Sequence, residues 1–291
     1  MNRFLFKIVY SIIWLITLFP LPVLYQISNI LYFLAYYVVG YRKKVVVSNL
    51  KNAFPLKSNT EIKKITKSFY LHLCDNLIET AAMIHMPKKS FDKRFIFKNV
   101  DVINELYDKG KSICAVFGHY GNWDWYALLQ FYVKHQVYAI YMPIKNKNID
   151  KLVNNLRSKF GVKMIHKAYA AKKILDMHNS GELFITFFIS DQTPSKREIS
   201  YWTTFLNQDT AVFLGAEKIA RKTNQAVVFF DIIKKKRGYY EIEFLKLFEN
   251  SKDTRQYEIT KAHLKCLEKR IIEKPEYWLW SHRRWKYKKT E

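Results

Sequence analysis

The segment AVFGHYGNWDW (residues 115–125) places a histidine and an aspartate directly after an apolar run. The run Ile113–Phe117 has the composition of a buried strand, and His119 and Asp124 follow it, five residues apart. A carboxylate that holds one imidazole nitrogen leaves the other nitrogen free to act as a general base. We therefore predict that His119 is a base, oriented by Asp124, and that it activates a hydroxyl group of a substrate.

Two residues between the histidine and the aspartate favour this geometry. Gly121 permits a turn, and Asn122 is a good helix N-cap, which places Asp124 in the first helical turn. A hydrogen-bonding histidine with a purely structural role is the alternative. No second His or Cys stands at ligand spacing near Asp124, which disfavours a metal site, and no G-x-S-x-G elbow indicates a serine hydrolase. No cofactor is predicted.

The elements around this segment alternate between strands and helices, which indicates an α/β fold with a mainly parallel or mixed sheet flanked by helices. The predicted strands are Ser112–Phe117, Val137–Met142, Leu183–Ile189 and Ala226–Ile233. The predicted helices between them are Asn122–Lys134, Asn148–Phe160, Tyr169–Asn179 and Val212–Thr223. Residues 60–86, with Thr60 as cap, and 254–273 are predicted as further helices, and 234–238 as a hairpin turn.

Two polar residues follow separate predicted strands. His119 comes after the first strand and Asp191 after the third. Ligands of open α/β sheets bind beyond the carboxyl ends of the strands. His119 and Asp191 are therefore expected at one site.

The charge of the chain favours anionic partners. Lys+Arg 49 against Asp+Glu 25 gives a formal net charge of +24. Such an excess suits nucleic acid, an anionic membrane face, phosphorylated lipids or an acidic carrier protein, without selecting among them. The three cysteines are widely spaced and odd in number, which argues against a disulfide framework and fits a reducing compartment.

The N-terminal region carries no charged residue from Ile8 to Tyr41. Pro20 and Pro22 divide it into two apolar arms, Ile8–Phe19 and Val23–Gly40. This pattern predicts an uncleaved membrane anchor over residues 1–45, either one kinked span or a helical hairpin within one leaflet. A cleaved signal peptide is the alternative, but no small-x-small cleavage site follows. Residues 46–291 are predicted as a single domain with its catalytic core at about 95–235.

Several segments in order resemble one enzyme family. GHYGNWDW looks like the H-x4-D/E motif of glycerolipid-type acyltransferases, in the form used by the late lipid A biosynthesis acyltransferases, the lauroyl/myristoyl transferase family. The similarity continues through the segments YMPIKNKNIDKLVNNLRSKFG, SDQTP, FLNQDTAVFLGAEKIARKTNQAVVFF and PEYWLWSHRRWK. Family members often carry glutamate where this chain has Asp124, and the shorter aspartate can make the same hydrogen bond.

This resemblance implies that an acyl chain passes from acyl-acyl carrier protein to a hydroxyl of a lipid A precursor, with His119 as base and Asp124 as its orienting acid. Arg157 would contact the thioester oxyanion or a phosphate. Asp191 and Gln192 would lie at the mouth of the site. The closing residues His282, Arg283 and Arg284 would bind anionic head groups, or form an aromatic-basic segment that rests on the bilayer.

The implied location is the bacterial inner membrane, with the catalytic domain facing the cytoplasm, where the carrier protein is found. Another membrane lipid, such as a lysophospholipid, glycolipid or aminolipid, is the alternative acceptor. A membrane-tethered nucleic-acid-binding protein is the alternative outside enzymes. No nucleic-acid-binding module is recognisable, and the basic residues are scattered along the chain, so no nucleic acid partner is expected.

Overall fold

The computed structural model of the protein describes residues 3–289 and consists of a helical N-terminal region followed by an α/β domain. Proline at position 20 breaks the apolar region as predicted, because the second helix begins at the next residue. The N-terminal region contains the helices α1 (Arg3–Ile16), α2 (Leu21–Phe33), α3 (Lys43–Ala53) and α4 (Asn59–Ala82), and a π-helical turn (Leu34–Val38) continues α2.

The α/β domain is built on a seven-stranded mixed sheet flanked by helices, which confirms the predicted fold class. The strand order is β1-β9-β8-β2-β5-β3-β4, and neighbours are parallel except for the β8–β9 hairpin. The strands are β1 (Phe95–Phe97), β2 (Ile113–Phe117), β3 (Gln136–Tyr141), β4 (Lys163–His166), β5 (Phe184–Ile189), β8 (Ala226–Lys236) and β9 (Tyr239–Phe248). The helices are α5 (Lys88–Asp92), α6 (Asp101–Asp108), α7 (Lys147–Ser158), α8 (Ala170–Asn179), α9 (Gly215–Thr223) and α10 (Glu258–Glu273).

The four predicted strands are present, and β2 and β5 are direct neighbours in the middle of the sheet. Phe117 pairs with Ile189 at their carboxyl ends. All five residues of β2 are buried, so the strand is a near-continuous apolar run with no alternation. Residues that follow β2 and β5 therefore meet at one edge of the sheet.

Three local predictions need correction. The predicted helix over 122–134 is a 3₁₀ helix that covers only Asp124–Phe131. Ser58, and not Thr60, caps α4, because Ser58 and Glu61 form a capping box. A short hairpin of β6 (Trp202–Phe205) and β7 (Gln208–Ala211) occupies a region for which the sequence analysis predicted no strand.

Buried polar contacts join α2 to α4, and a contact from the β8–β9 hairpin joins α4 to the α/β domain. The Tyr25 hydroxyl donates to Glu79 Oε1 at 2.8 Å, and the Ser28 hydroxyl donates to Asp75 Oδ1 at 2.7 Å. The Arg237 guanidinium, on the β8–β9 hairpin, completes the cluster by donating to Asp75 Oδ1 at 2.6 Å. Helix α2 thus packs against α4, and both pairs hold it there, one helical turn apart.

Candidate active site

His119 stands two residues after β2, at the carboxyl edge of the sheet. Gly118 permits the close packing there, since a Cβ atom at this position would lie 2.6 Å from Leu267 Cδ2 and 3.3 Å from Asp191 Oδ2. The closing segment of the chain holds the backbone, because Leu279 N–H donates to His119 O at 3.1 Å and Gly121 N–H donates to Tyr277 O at 3.0 Å.

The partner of the His119 imidazole is Asp191. Nδ1 lies 2.7 Å from Asp191 Oδ1, and the backbone N–H of His119 donates to Asp191 Oδ2 at 3.0 Å. The indole N–H of Trp278 donates to the same oxygen at 2.7 Å, and the Gln192 amide donates to it at 3.3 Å. The Asp191 side chain is 1% exposed and the His119 side chain 23%. The predicted meeting of His119 and Asp191 is present.

The hydrogen bonds of Asp191 define the tautomer of the histidine. Burial alone would raise the pKa of Asp191, but the charge of His119 and the hydrogen bonds from His119 and Trp278 lower that pKa to about 2. An ionised carboxylate only accepts hydrogen bonds, so Nδ1 of His119 carries the proton. Nε2 has no hydrogen-bond partner among residues 3–289.

Asp124 does not contact His119 in this arrangement, contrary to the prediction that it orients the imidazole. Arg157 Nε donates to Asp124 Oδ1 at 2.9 Å, and the Thr80 hydroxyl donates to Asp124 Oδ2 at 2.9 Å. The Trp123 ring packs against the imidazole instead, with 5.2 Å between ring centroids. The turn after His119 thus brings Trp123 beside the histidine, while Asp124 points toward α4 and α7.

The two residues predicted to shape this turn do so in a modified way. Gly121 has φ +62°, a left-handed conformation that favours glycine. Asn122 Oδ1 accepts from Trp125 N–H at 3.2 Å, as a capping side chain does, although the helix it precedes is 3₁₀. Its amide also donates to the buried Glu79 at 2.7 Å, which ties the turn to α4.

His119 and Arg157 both line a cavity of about 580 Å³ at this edge of the sheet. Small-molecule sites generally occupy about 300–1,000 Å³ and are mostly apolar with few polar groups. The apolar part of the wall comes from several elements and includes Ile140, Met142, Ile174, Phe187, Phe213 and Ile219. Gln192 also lines the cavity, whereas Asp191 lies behind the imidazole.

The three closing residues predicted to bind head groups have different surroundings. Arg283 is exposed, His282 is half-buried, and Arg284 is only 1% exposed. Burial lowers the pKa of His282 to about 4 and that of Arg284 to about 10. The Arg284 guanidinium has no hydrogen-bond partner among residues 3–289 and does not face solvent, so it is not a surface head-group contact.

Sequence reasoning missed Trp278 and Thr80 as parts of the site. Both lie far along the chain from the motif. Trp278 donates a hydrogen bond to Asp191, and Thr80 donates one to Asp124. The closing segment is rich in aromatic and basic residues, but composition cannot show that Trp278 crosses to Tyr120 and pairs with it through an antiparallel bridge. Among residues 3–289, no group of three or more His, Cys, Asp or Glu side chains is arranged to bind a metal ion.

The sequence model of the bacterial lipid A biosynthesis acyltransferase family matches residues 1–287. The chain belongs to this family. It is therefore an acyltransferase, as the resemblance of its motifs implied.

Individual relatives of this acyltransferase agree with that assignment. The chain is similar to a lipid A biosynthesis lauroyltransferase of Escherichia coli K12, with 25% identity over 278 residues, which are 95% of this chain and 89% of that protein. A lipid A biosynthesis palmitoleoyltransferase of the same strain is 22% identical over 276 residues, with the same coverage of both chains. Lipid A biosynthesis acyltransferase 2 of Shigella flexneri is 22% identical over 144 residues, half of this chain and 45% of that protein.

Proposed function

We propose that this acyltransferase moves a fatty acyl chain from acyl-acyl carrier protein to a hydroxyl of a lipid A precursor, with Nε2 of His119 as the general base. The observation that carries the proposal is the His119–Asp191 pair beside an apolar cavity, in a chain of the lipid A acyltransferase family. The names of the similar enzymes support lipid A as the acceptor class.

The reaction follows from the tautomer of His119. Nε2 takes the proton of the acceptor hydroxyl while the hydroxyl oxygen attacks the thioester carbonyl. The tetrahedral intermediate collapses, the ester forms, the C–S bond breaks, and the thiolate takes the proton back from the imidazolium. Asp191 is ionised and buried, so it stabilises the imidazolium and keeps the ring in place.

We assign Asp124 to the positioning of Arg157. Its carboxylate binds Nε of Arg157 at 2.9 Å and Nη2 at 2.8 Å, which fixes the guanidinium at the cavity wall. A guanidinium fixed there can stabilise the thioester oxyanion or bind a phosphate group of a substrate. The H-x4-D motif then supplies the base and the carboxylate that holds this cation, while the orienting acid, Asp191, comes from the segment that follows β5.

The apolar cavity is the proposed site of the acyl chain. Its wall lies on β3, β5, α8 and α9 and reaches from His119 toward Phe213 and Ile219. Lys167 and Glu198, which form an ion pair of 2.8 Å, also line it. An apolar chain bound here has its thioester end beside His119, because the imidazole is one of the polar groups of the wall.

The N-terminal region is the proposed membrane attachment, with the catalytic domain on the cytoplasmic side. Leu21–Val38 is long and apolar enough to cross a membrane by length and composition, and 28% of it is buried. The contacts of Tyr25 and Ser28 with α4 hold this helix against the catalytic domain, which supports the helical hairpin in one leaflet over the kinked span. Exposed apolar side chains on α1 and α2, such as Phe4, Ile12 and Phe33, would then face lipid.

Acyl transfer with purified enzyme tests the proposal. Wild type and His119→Ala are incubated with acyl-acyl carrier protein and a lipid A precursor, and the lipids are analysed by mass spectrometry. Removal of a general base should lower the rate by about 10²–10⁴-fold. Circular dichroism of both proteins serves as the control for folding. Equal product from both proteins would refute the role of His119.

Parallel reactions test the two substrates. Lysophospholipid, glycolipid and aminolipid acceptors replace the lipid A precursor in one series, and acyl-coenzyme A replaces the carrier protein thioester in another. We expect the lipid A precursor and the carrier protein thioester to give the highest kcat/KM. A higher value with another acceptor or donor would reject that part of the proposal while leaving the role of His119 intact.

A further inference from the structure

A second groove, of about 920 Å³, lies where the apolar N-terminal region joins α3. We call it the basic groove. Its charged lining residues are the five cations Arg42, Lys43, Lys44, Lys51 and Arg283, and none of its described lining residues is acidic. Arg42, Lys43 and Lys44 are consecutive in the chain, and Lys51 lies about two turns further along α3. The fold adds Arg283 from the other end of the chain.

Two of the cations are held in place by the protein. Arg42 Nη1 donates to Ser281 O at 3.1 Å, and Lys43 Nζ lies 3.8 Å from the centroid of the Tyr36 ring. The other three, Lys44, Lys51 and Arg283, are exposed and have no side-chain hydrogen bond or ion pair with any of residues 3–289. The positive charges of the groove repel one another, and no acidic side chain in its described lining offsets that repulsion. A bound anion would therefore stabilise the groove.

The position of the groove identifies the kind of anion. Tyr37, Val38 and Val39 lie directly before its first lining residue, Gly40, and are 52%, 64% and 71% exposed. An exposed apolar surface that ends in a cluster of Lys and Arg is the pattern of a segment at the boundary between acyl chains and head groups. Phosphates of lipid head groups occupy this level of a bilayer.

We propose that the basic groove binds the phosphate-bearing head group of an anionic membrane lipid and so anchors the enzyme at the bilayer surface. The inference rests on the membrane attachment proposed above and adds a specific ligand class to it. An acidic carrier protein is the competing partner for such a surface. The direct continuation of the groove into the exposed apolar segment favours the lipid, because a soluble partner gains nothing from that position.

The groove is also connected to the active-site cavity through one residue. The Thr193 hydroxyl donates to Arg283 O at 2.9 Å, and Thr193 lines the cavity that contains His119. A head group bound at Arg283 would therefore keep the cavity next to the membrane that holds the lipid acceptor.

Vesicle binding of the full chain tests the inference. The triple variant Lys44→Gln, Lys51→Gln, Arg283→Gln is compared with wild type and with a matched control, Lys218→Gln, Lys222→Gln, Lys261→Gln, which removes three exposed charges from α9 and α10. Partition into phosphatidylglycerol vesicles and into phosphatidylcholine vesicles is measured by lipid titration at low and high salt. Circular dichroism melts establish that all three proteins are folded.

For the groove variant we expect weaker binding to phosphatidylglycerol, by roughly fivefold for each removed charge, since a basic residue near an anionic surface contributes about 1 kcal/mol. The control variant should lose much less affinity for phosphatidylglycerol vesicles, and all three proteins should bind phosphatidylcholine vesicles equally. Equal losses in the two variants would overturn the groove as a site while leaving membrane attachment in place. Failure of the wild type to bind either vesicle would overturn membrane attachment itself.

The competing partner is tested on the same proteins. Binding of acyl-acyl carrier protein to the groove variant should match wild type. Normal vesicle binding together with lost carrier-protein binding would overturn the lipid assignment in favour of a protein partner.

Discussion

Two carboxylates near the H-x4-D motif have separate tasks. Asp191 binds Nδ1 of His119 at 2.7 Å, whereas Asp124 binds Arg157 and Thr80. The carboxylate five residues from the histidine thus binds a cation, and the carboxylate that follows the neighbouring strand binds the imidazole. The distinction matters because each carboxylate can be removed without touching the other.

Replacing Asp191 by Asn should lower kcat far more than it raises KM. The amide can donate a hydrogen bond to Nδ1 and so favour the tautomer whose Nε2 carries the proton. In an analogous catalytic triad, this wrong tautomer lowers kcat on the order of 10⁴-fold. Asp124→Asn is the matched variant. The neutral amide binds the Arg157 guanidinium more weakly than the carboxylate does. We therefore expect kcat to fall by about 10²-fold, the loss that follows when a group of an active site is misplaced.

Steady-state kinetics and thermal melts of both variants provide the measurement. A larger loss of kcat in Asp124→Asn than in Asp191→Asn, at equal folding, would reverse the two assignments.

At the scale of elements, the site depends on adjacency of β2 and β5 and on the turn that follows β2. Parallel strands bring their carboxyl ends to one edge, so His119 and Asp191 meet although 72 residues separate them. The turn then directs Trp123 toward the imidazole and Asp124 toward Arg157. A small change of backbone conformation at this turn should therefore disturb both the contact of Trp123 with His119 and the ion pair of Asp124 with Arg157.

Gly121→Ala tests that dependence. A Cβ atom at position 121 would lie 2.9 Å from Ile232 Cδ1 on β8, and φ is +62°. We expect a loss of about 1–3 kcal/mol in the free energy of unfolding, and reduced kcat, since a strained left-handed conformation and a clash add together.

Gly181→Ala is the control, because Gly181 also has positive φ but its Cβ atom would meet nothing within 4 Å. It should lose less stability and keep its activity. If both substitutions lower the free energy of unfolding in urea by the same amount, then the strain of a positive φ, and not the contact with β8, explains the loss at position 121.

At the scale of the whole molecule, several buried histidines link stability to pH. Burial lowers the pKa of His263 and of His282 to about 4, and lowers the pKa of His72 and His135 as well. An unfolded histidine binds a proton near pH 6.5. Below that pH the unfolded chain therefore binds more protons than the folded one, and stability falls as the pH decreases toward 4. The Asp191 carboxylate, with a pKa of about 2, keeps its stabilising contribution above about pH 5 and loses it only at lower pH.

The free energy of unfolding should thus decrease from pH 7 to pH 5, with His263 alone accounting for about 2 kcal/mol. Urea unfolding at the two pH values in the same detergent measures this difference. His263→Gln should flatten the dependence, because it removes one titrating group. A dependence identical to that of wild type would show that His263 does not remain neutral in the fold.

The order of the elements and the residues of the motif could be predicted from the sequence. Apolar runs such as Ile113–Phe117 and Phe184–Ile189 are strands because their side chains must be buried on both faces. Proline at position 20 cannot continue a helix from the preceding residues, but it is tolerated where it stands, directly before the first turn of α2. The family resemblance rested on the same local segments. It identified an acyltransferase before any contact was known.

The partner of each charged group could not be predicted, because hydrogen bonds depend on which elements become neighbours. The spacing of His119 and Asp124 favoured a pair between them, but the strand order places Asp191 at the imidazole, and α7 brings Arg157 to Asp124. Burial of Arg284 and Trp278 under the site likewise depends on the path of the closing segment. Local sequence thus determined which polar residues stand at the edge of the sheet, whereas the tertiary structure alone decided their pairing, because the strand order and the packing of the helices set the distances between them.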